Sequence, residues 1–382
     1  MDRDALHRLA AACGLQVRHT GPDGEVRVAT EAAVRGMLAA MKVDATSDAA
    51  IARSLASAPP LVDPAIEVPR GVRCHLPSWL ISKPAWGVTC QLYGLRSGRN
   101  HGIGDFEDLA VLAERLAPEG ADFIGINPIH ALFTADPDRC SPFSPSNRKF
   151  LNPLFIALDR VPGIDASFAS GNLQRRPSSS GHINYRAVAR IKLRVLRDIW
   201  KRIGADSRLW AASDRKAFEA FVAAEGEALH RHAVFEALSH VQTQRGRGAG
   251  WHGWPPGLRR VDTEEVARFA AENEQDVRFH LWLQWVADRQ VADAAARARA
   301  AGMRIGLYLD LAVGAAPDGS ATWSDPDLVM TGATIGAPPD GFFTGGQNWG
   351  LAPMSPLTLR SRRLKPYREM LARAARHAGA VR

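Results

Sequence analysis

The chain has 382 residues, 46% of them apolar and 23% charged, with a formal net charge of +8. A length of this order suits two or three domains with substantial cores. No run of eighteen apolar residues occurs, and the opening MDRDALHRLAAACG puts charge where a signal peptide has its apolar segment, so the expectation is a cytoplasmic protein with no membrane partner. Cys13, Cys74, Cys90 and Cys140 are widely spaced and form no CxxC pair, which argues against both a zinc site and a disulfide framework. His230 and His232, two apart, would point to different sides of a helix, so no metal and no other cofactor is expected. The basic residues are mostly Arg and spread along the chain. Their densest cluster, Arg360, Arg362, Arg363 and Lys365, lacks interleaved aromatics and reads as a solvated face, not a nucleic-acid surface.

Residues 1–65 read as a small α/β domain. Leu6, Leu9 and Ala10 recur at helical spacing within Asp4 to Cys13, HTGPDGEVRV offers a turn and a short strand, and Thr30 caps a second helix with Val34, Met37, Leu38 and Met41 on one face. APPLVDPAIEVP then forms a linker, and residues 66–85 as a whole read as linker plus a short β segment over Arg70 to Ile81. The main domain, 86–382, opens with a strand over Gly87 to Leu92. GIGDF supplies a turn and an acidic cap for a helix bearing Leu109, Leu112, Ala113 and Leu116, and a second strand runs from Phe123 to Ile129. Strand, helix, strand at this interval implies a parallel sheet with covered faces.

An insertion of about 141–302 follows and reads as a helical subdomain, with periodic segments at Ile183 to Ile203, Phe218 to Leu238 and Phe279 to Ala298, interrupted by the loop GRGAGWHGWPPGLRR. Its Trp251, Trp254, Trp282 and Trp285 sit in or near helical patterns and read as core. Ile305 to Leu309 is a third buried strand, and it ends at Asp310, a carboxylate where the strand should emerge. Nearly forty residues rich in Gly, Pro, Asp and aromatics come next, a length that marks either a functional loop or a disordered one, and the aromatics argue against disorder. Trp323, Phe342, Phe343 and Trp349 beside Asp310, Asp340, Gln347 and Asn348 offer flat apolar faces and polar groups that suit a sugar; a loop pinned by its aromatics is the plainer alternative. Leu364, Tyr367, Leu371, Ala374 and Ala378 describe a closing amphipathic helix with Gly379 as its C′ residue, and Ala380 to Arg382 the first step of a further strand.

GLYLDLAVGAAPDGSATW followed by GAPPDGFFTGGQNWG resembles the amylomaltases, the 4-alpha-glucanotransferases related to the α-amylases. WGVTCQLYGLRSGRNHGIGDF, GADFIGINPIHALF and SPFSPSNRKFLNPLFI extend the resemblance in the same order over most of the chain. It implies an α/β fold of the (β/α)8 TIM-barrel type with a large helical insertion and a small N-terminal domain, the barrel being incomplete in this chain. It implies transfer of α-1,4-glucan segments to an acceptor glucan or glucose by a retaining double displacement, with α-1,4-glucans (maltodextrins) as the partner.

Catalytic residues of such barrels lie at the C-terminal ends of strands and on the loops that follow. By resemblance, Asp310 supports the site at the third strand end, and Asp340, Gln347 and Trp349 belong to a loop that stacks on glucose and binds hydroxyls. Ser141 and Phe143 match a segment that usually reads Ser-Pro-Tyr, so Phe143 keeps the stacking surface and lacks the hydroxyl. Arg382 matches the Arg of an Arg-Ile-Asp-His motif whose Asp is the nucleophile. The resemblance therefore places both nucleophile and acid/base beyond Arg382, and no activity is expected of this chain alone, with a C-terminal half supplied separately as one way to complete it. The alternatives are a non-catalytic α-glucan-binding protein and, last, an enzyme using Asp310 with Asp318 or Asp340.

Overall fold

The computed structural model describes residues 3–21, 23–57, 71, 73, 75–164 and 181–382. The linker expected over APPLVDPAIEVP, and Cys74, lie outside the described residues. The chain divides into two units: Met1–Lys83 with Asp327–Tyr367, and Pro84–Pro326 with Arg368–Arg382. The sequence reading had kept 327–367 in the main domain.

In the first unit, helix Arg3–Ala12 buries Leu6, Leu9 and Ala10 as its periodicity requires. Arg18–Thr20 and Val26–Val28 pair as an antiparallel hairpin. The hydroxyl of Thr30 accepts from Ala33 N at 3.2 Å and starts helix Glu31–Ala40, whose Val34 and Leu38 join that core with Met41 while Met37 stays outside it. A third helix, Asp48–Ser57, adds Ile51. The later segment belongs here because Met330 enters the same apolar cluster, with Ala333 and Leu357 packed against it. Of the β segment expected over Arg70 to Ile81, residues 70, 72 and 74 lie outside the described residues, and its end is a short helix, Ser78–Ser82.

Four parallel strands organise the second unit: Gly87–Cys90, Phe123–Ile126, Gly306–Leu309 and Ala380–Val381, each hydrogen-bonded to the next in chain order. The first two are shorter than their apolar runs suggest. Leu92 N donates to Asn127 Oδ1 at 2.7 Å, so the chain leaves the ladder there and tightens into a 3₁₀ turn, Leu92–Gly94. Helix Phe106–Leu116 starts at a capping box in which Asp105 and Asp108 bond reciprocally to each other's backbone amides. Arg99 reaches both carboxylates, at 2.6 and 3.0 Å, and also Asp159, which ties the GRNHGIGDF turn to the chain near 159. Lys192 points its fully buried amine toward this cluster, and burial pulls it down to about 8.

The expected insertion is not a separate subdomain. Helices Tyr185–Ala205, Ala212–Gln244 and Glu274–Ala300 share one apolar core with the strand residues Ile124, Ile126 and Leu307. Glu274–Ala300 packs on Phe106–Leu116 and leads back to the third strand, so it is the covering helix of a parallel crossover. The segment expected as one periodic helix over Phe218 to Leu238 leaves helical geometry at Gly226 (φ 60°, ψ −147°), a backbone state that glycine reaches without Cβ strain. Trp254, Trp282 and Trp285 are core, as their spacing implies, and Trp251 is partly buried.

The closing helix is shorter than expected, Lys365–Ala375, because Arg363 and Leu364 adopt positive φ (49° and 58°) and cannot begin it. Gly379 does not act as a left-handed cap. A Cβ there would lie 1.7 Å from Ile305 O, and its N–H donates to Leu307 O at 2.9 Å, so glycine is required for close approach to the third strand.

Candidate functional site

The C-terminal ends of the parallel strands open into a cleft of about 250 Å³ lined by Gln91, Tyr93, Asn127, Phe143, Asp310 and Arg382, together with Thr89, Cys90 and Tyr308. Each arrives there for a local reason. Thr89 to Tyr93 and Gly125 to Asn127 are where the first two strands stop, and Asp310 is the first residue beyond the third. Arg382 follows the fourth strand, and its Nε donates to Asp310 Oδ1 at 3.0 Å, with Asp310 largely buried and Arg382 exposed. Arg382 N donates to Leu309 O and Leu311 N to Arg382 O, so ladder bonds on both sides of Asp310 hold the pair in register. Burial raises the Cys90 thiol above its ordinary value.

The turn that presents Phe143 is knit to the loop after Asp310. Pro145 O accepts from Ala316 N at 2.8 Å, Ser146 Oγ from Ser320 N at 2.9 Å, and Asn147 Nδ2 donates to Ser320 Oγ at 3.1 Å. Arg148 Nη1 donates to the carbonyls of Ala312 and Val313, at 3.1 and 3.0 Å, and Ala312 N donates to His130 Nε2 at 3.2 Å. Phe143 keeps 52% of its surface exposed at the cleft, whereas Ser141, also exposed, supplies a backbone carbonyl to Ser144 N and does not line it. Asp318 is taken up by a two-pronged pair with Arg139 (2.9 and 2.7 Å) and is not among the cleft residues. Trp323, grouped above with the sugar-facing aromatics, is buried, with its indole N–H donating to Leu258 O at 2.9 Å. It belongs to a short helix, Ser320–Ser324, inside what the sequence presents as continuous loop.

Asp340, Gln347 and Trp349 belong to the first unit. There Ile335–Ala337 and Gln347–Leu351 form an antiparallel hairpin. Asp340 Oδ1 accepts from Phe342 N (2.8 Å) and Phe343 N (2.7 Å), closing the hairpin tip, and Trp349 Nε1 donates to Gln347 Oε1 at 3.2 Å. The hairpin displays its aromatics: Phe342, at the tip, is 93% exposed, and Trp349, on the second strand, 45%. Among the described residues, no group of three His, Cys, Asp or Glu could hold a metal ion, and no helix is long and apolar enough to cross a membrane.

His130 and Arg148 were missed at the sequence level. The available signal was a histidine directly after the apolar FIGINPI run and an arginine within the SPFSPSNRK motif, and neither shows which backbone groups it holds.

A family model described as 4-alpha-glucanotransferase matches residues 90–382. A 4-alpha-glucanotransferase of Mycobacterium tuberculosis is 36% identical over 324 residues, covering 80% of this chain and 43% of that protein. One of Haemophilus influenzae is 33% identical over 319 residues, covering 80% of this chain and 46% of that protein. The crystal structure of amylomaltase from Corynebacterium glutamicum is similar with a TM-score of 0.78 at 26% identity, over 99% of this chain and 64% of that one. The chain spans a little under half the length of these curated relatives.

Proposed function

The chain belongs to the 4-alpha-glucanotransferase family, and from that premise we propose that its residues bind an α-1,4-glucan for transfer of glucan segments by a retaining double displacement. The observation that carries the reading is the cleft at the strand ends, with Asp310 held by Arg382 and Phe143 exposed beside them. A carboxylate offers about four acceptor positions. Arg382 takes one on Asp310, and the part of the carboxylate that faces the cleft is where a sugar hydroxyl would donate. The Phe143 ring supplies a flat apolar surface for a pyranose face. On the first unit, the exposed indole of Trp349, steadied by Gln347, and the turn closed by Asp340 serve the same ligand class.

Retaining transfer needs two carboxyl groups about 5 Å apart, one as nucleophile and one as acid then base. Asp310, Arg382, Phe143, Asp340, Gln347 and Trp349 are given binding roles only. The four parallel strands, adjacent in chain order, are four of the eight strands of a (β/α)8 barrel in this reading, which their order supports.

Titration of the chain with maltoheptaose tests it. Stacking one ring and pairing a few hydroxyls should give a dissociation constant of about 1 mM, or about 4 kcal/mol. Asp310→Asn and Trp349→Ala should each weaken it. Absence of binding, or binding untouched by both substitutions, overturns the assignment.

A further inference from the structure

We infer that His130 is a positioning residue for the cleft: through the hydrogen bond from Ala312 N to its Nε2, it sets the path of the loop that leaves Asp310. The inference rests on the proposed glucan cleft only for the identity of the ligand; the positioning itself is a property of the free protein.

The bond fixes the chemical state of the ring. A backbone N–H can only donate, so Nε2 must carry a lone pair, and in the neutral imidazole the proton is then on Nδ1. The ring is buried, and burial together with the nearby Arg148 guanidinium pushes its pKa down to about 3, so it remains an acceptor across the neutral range. Next to it is a cavity of about 50 Å³ that His130, Leu309 and Asp310 share with Arg148, Lys149, Glu225 and Asp288 and with Arg373, Arg376 and His377 of the closing segment.

Three grips act within three residues of Asp310. Arg382 O accepts from Leu311 N, His130 accepts from Ala312 N, and Arg148 donates to the carbonyls of Ala312 and Val313. The ladder bond at Leu311 sets where the loop starts. His130 and Arg148 hold the amide and carbonyl of Ala312, which sets its direction. Without the acceptor, the Ala312 N–H would be buried with no partner, and the loop would shift to satisfy it. Asp310, two residues away, would move with it relative to Arg382 and Phe143.

The test compares His130→Gln, whose side-chain oxygen can reach the place of Nε2, with His130→Leu, which fills similar space without an acceptor. In the parent, imidazole nitrogen shifts should show Nδ1 protonated and Nε2 as acceptor, and the Ala312 amide should exchange slowly. The Leu variant should lose about tenfold of that protection and bind maltoheptaose about tenfold more weakly, while the Gln variant restores both. A parent ring protonated at Nε2, a Leu variant with parental protection and affinity, or a Gln variant as impaired as the Leu variant overturns the inference. If the parent binds no maltoheptaose, the glucan reading fails, and the nitrogen shifts and Ala312 exchange still decide the role of His130.

Discussion

Aromatic residues are dense in two regions of this protein and meet opposite fates. In helix Glu274–Ala300, Phe279, Trp282 and Trp285 recur at three-residue intervals and are buried, Phe279 against Trp282, Trp282 against Trp200, and Trp285 against Trp210 and Phe218. In the hairpin Ile335–Leu351, Phe342, Phe343 and Trp349 stand in a Gly- and Pro-rich run and remain exposed, with hydrogen bonds made by Asp340 and Gln347 around them. Spacing explains the difference: a helical period aims successive rings at one core, whereas the hairpin leaves each of these rings at least 45% exposed. The buried set stabilises the fold, and the exposed set includes Trp349, to which the proposed function gives glucan stacking.

The comparison is broken most directly by truncating a buried ring. Trp282→Ala should cost about 3 to 5 kcal/mol in denaturant unfolding. A loss below about 1 kcal/mol would mean that the helical aromatics do not form the core. Next comes Glu225, a buried carboxylate of helix Ala212–Gln244 that pairs with both Arg373 and Arg376. Glu225→Gln leaves two guanidinium groups short of charge and should cost about 3 kcal/mol. Its effect should be largest for exchange of amides in Lys365–Ala375.

Acid should act on the buried region. His130 and His232 are pushed down to about 3 and His240 to about 4, and His280 lies well below its ordinary value of 6.5, all chiefly by burial. These folded values lie below the unfolded one, so between them the unfolded chain binds more protons. Their stabilisation is complete above pH 6.5 and is lost as pH falls toward 3, by up to about 1.4 kcal/mol per pH unit for each group. A melting temperature that is flat from pH 7 to pH 4 would contradict this. The smallest effects belong to the exposed hairpin: Trp349→Ala should weaken maltoheptaose binding by about 1 kcal/mol, and Phe342→Ser should change unfolding stability by less than about 0.5 kcal/mol. A large stability loss from Phe342→Ser would place that ring in a core.

Legibility differed from element to element for physical reasons. The acidic cap in GIGDF, the Thr30 cap and the four parallel strands depend on neighbours a few residues apart or on continuous apolar runs, and they were readable, whereas the part of Asp108 in closing the capping box was not. The kink at Gly226 was not, because a glycine within a periodic segment looks like any tolerated helical glycine. Of the residues named from the sequence, Asp310, Phe143 and Arg382 line one cleft. Ser141 was named with them but stands outside the lining, since the turn that exposes Phe143 directs Ser141 elsewhere.

What the sequence determined by itself is most of the helices and parallel strands and the family, because periodicity, caps and long motifs are properties of contiguous residues. Tertiary structure alone decided that Met330 joins the core of the N-terminal helices, that Trp323 is buried with its indole N–H bonded to the Leu258 carbonyl, and that Gly379 serves close strand approach. It also decided that His130 and Arg148 grip the loop after Asp310 from more than 150 residues away in the chain, His130 to Ala312 being separated by 182. Each of these depends on which distant backbone atom comes within about 3 Å of a side chain, and that follows from how the strands stack and the helices pack, not from any pattern in the neighbouring residues.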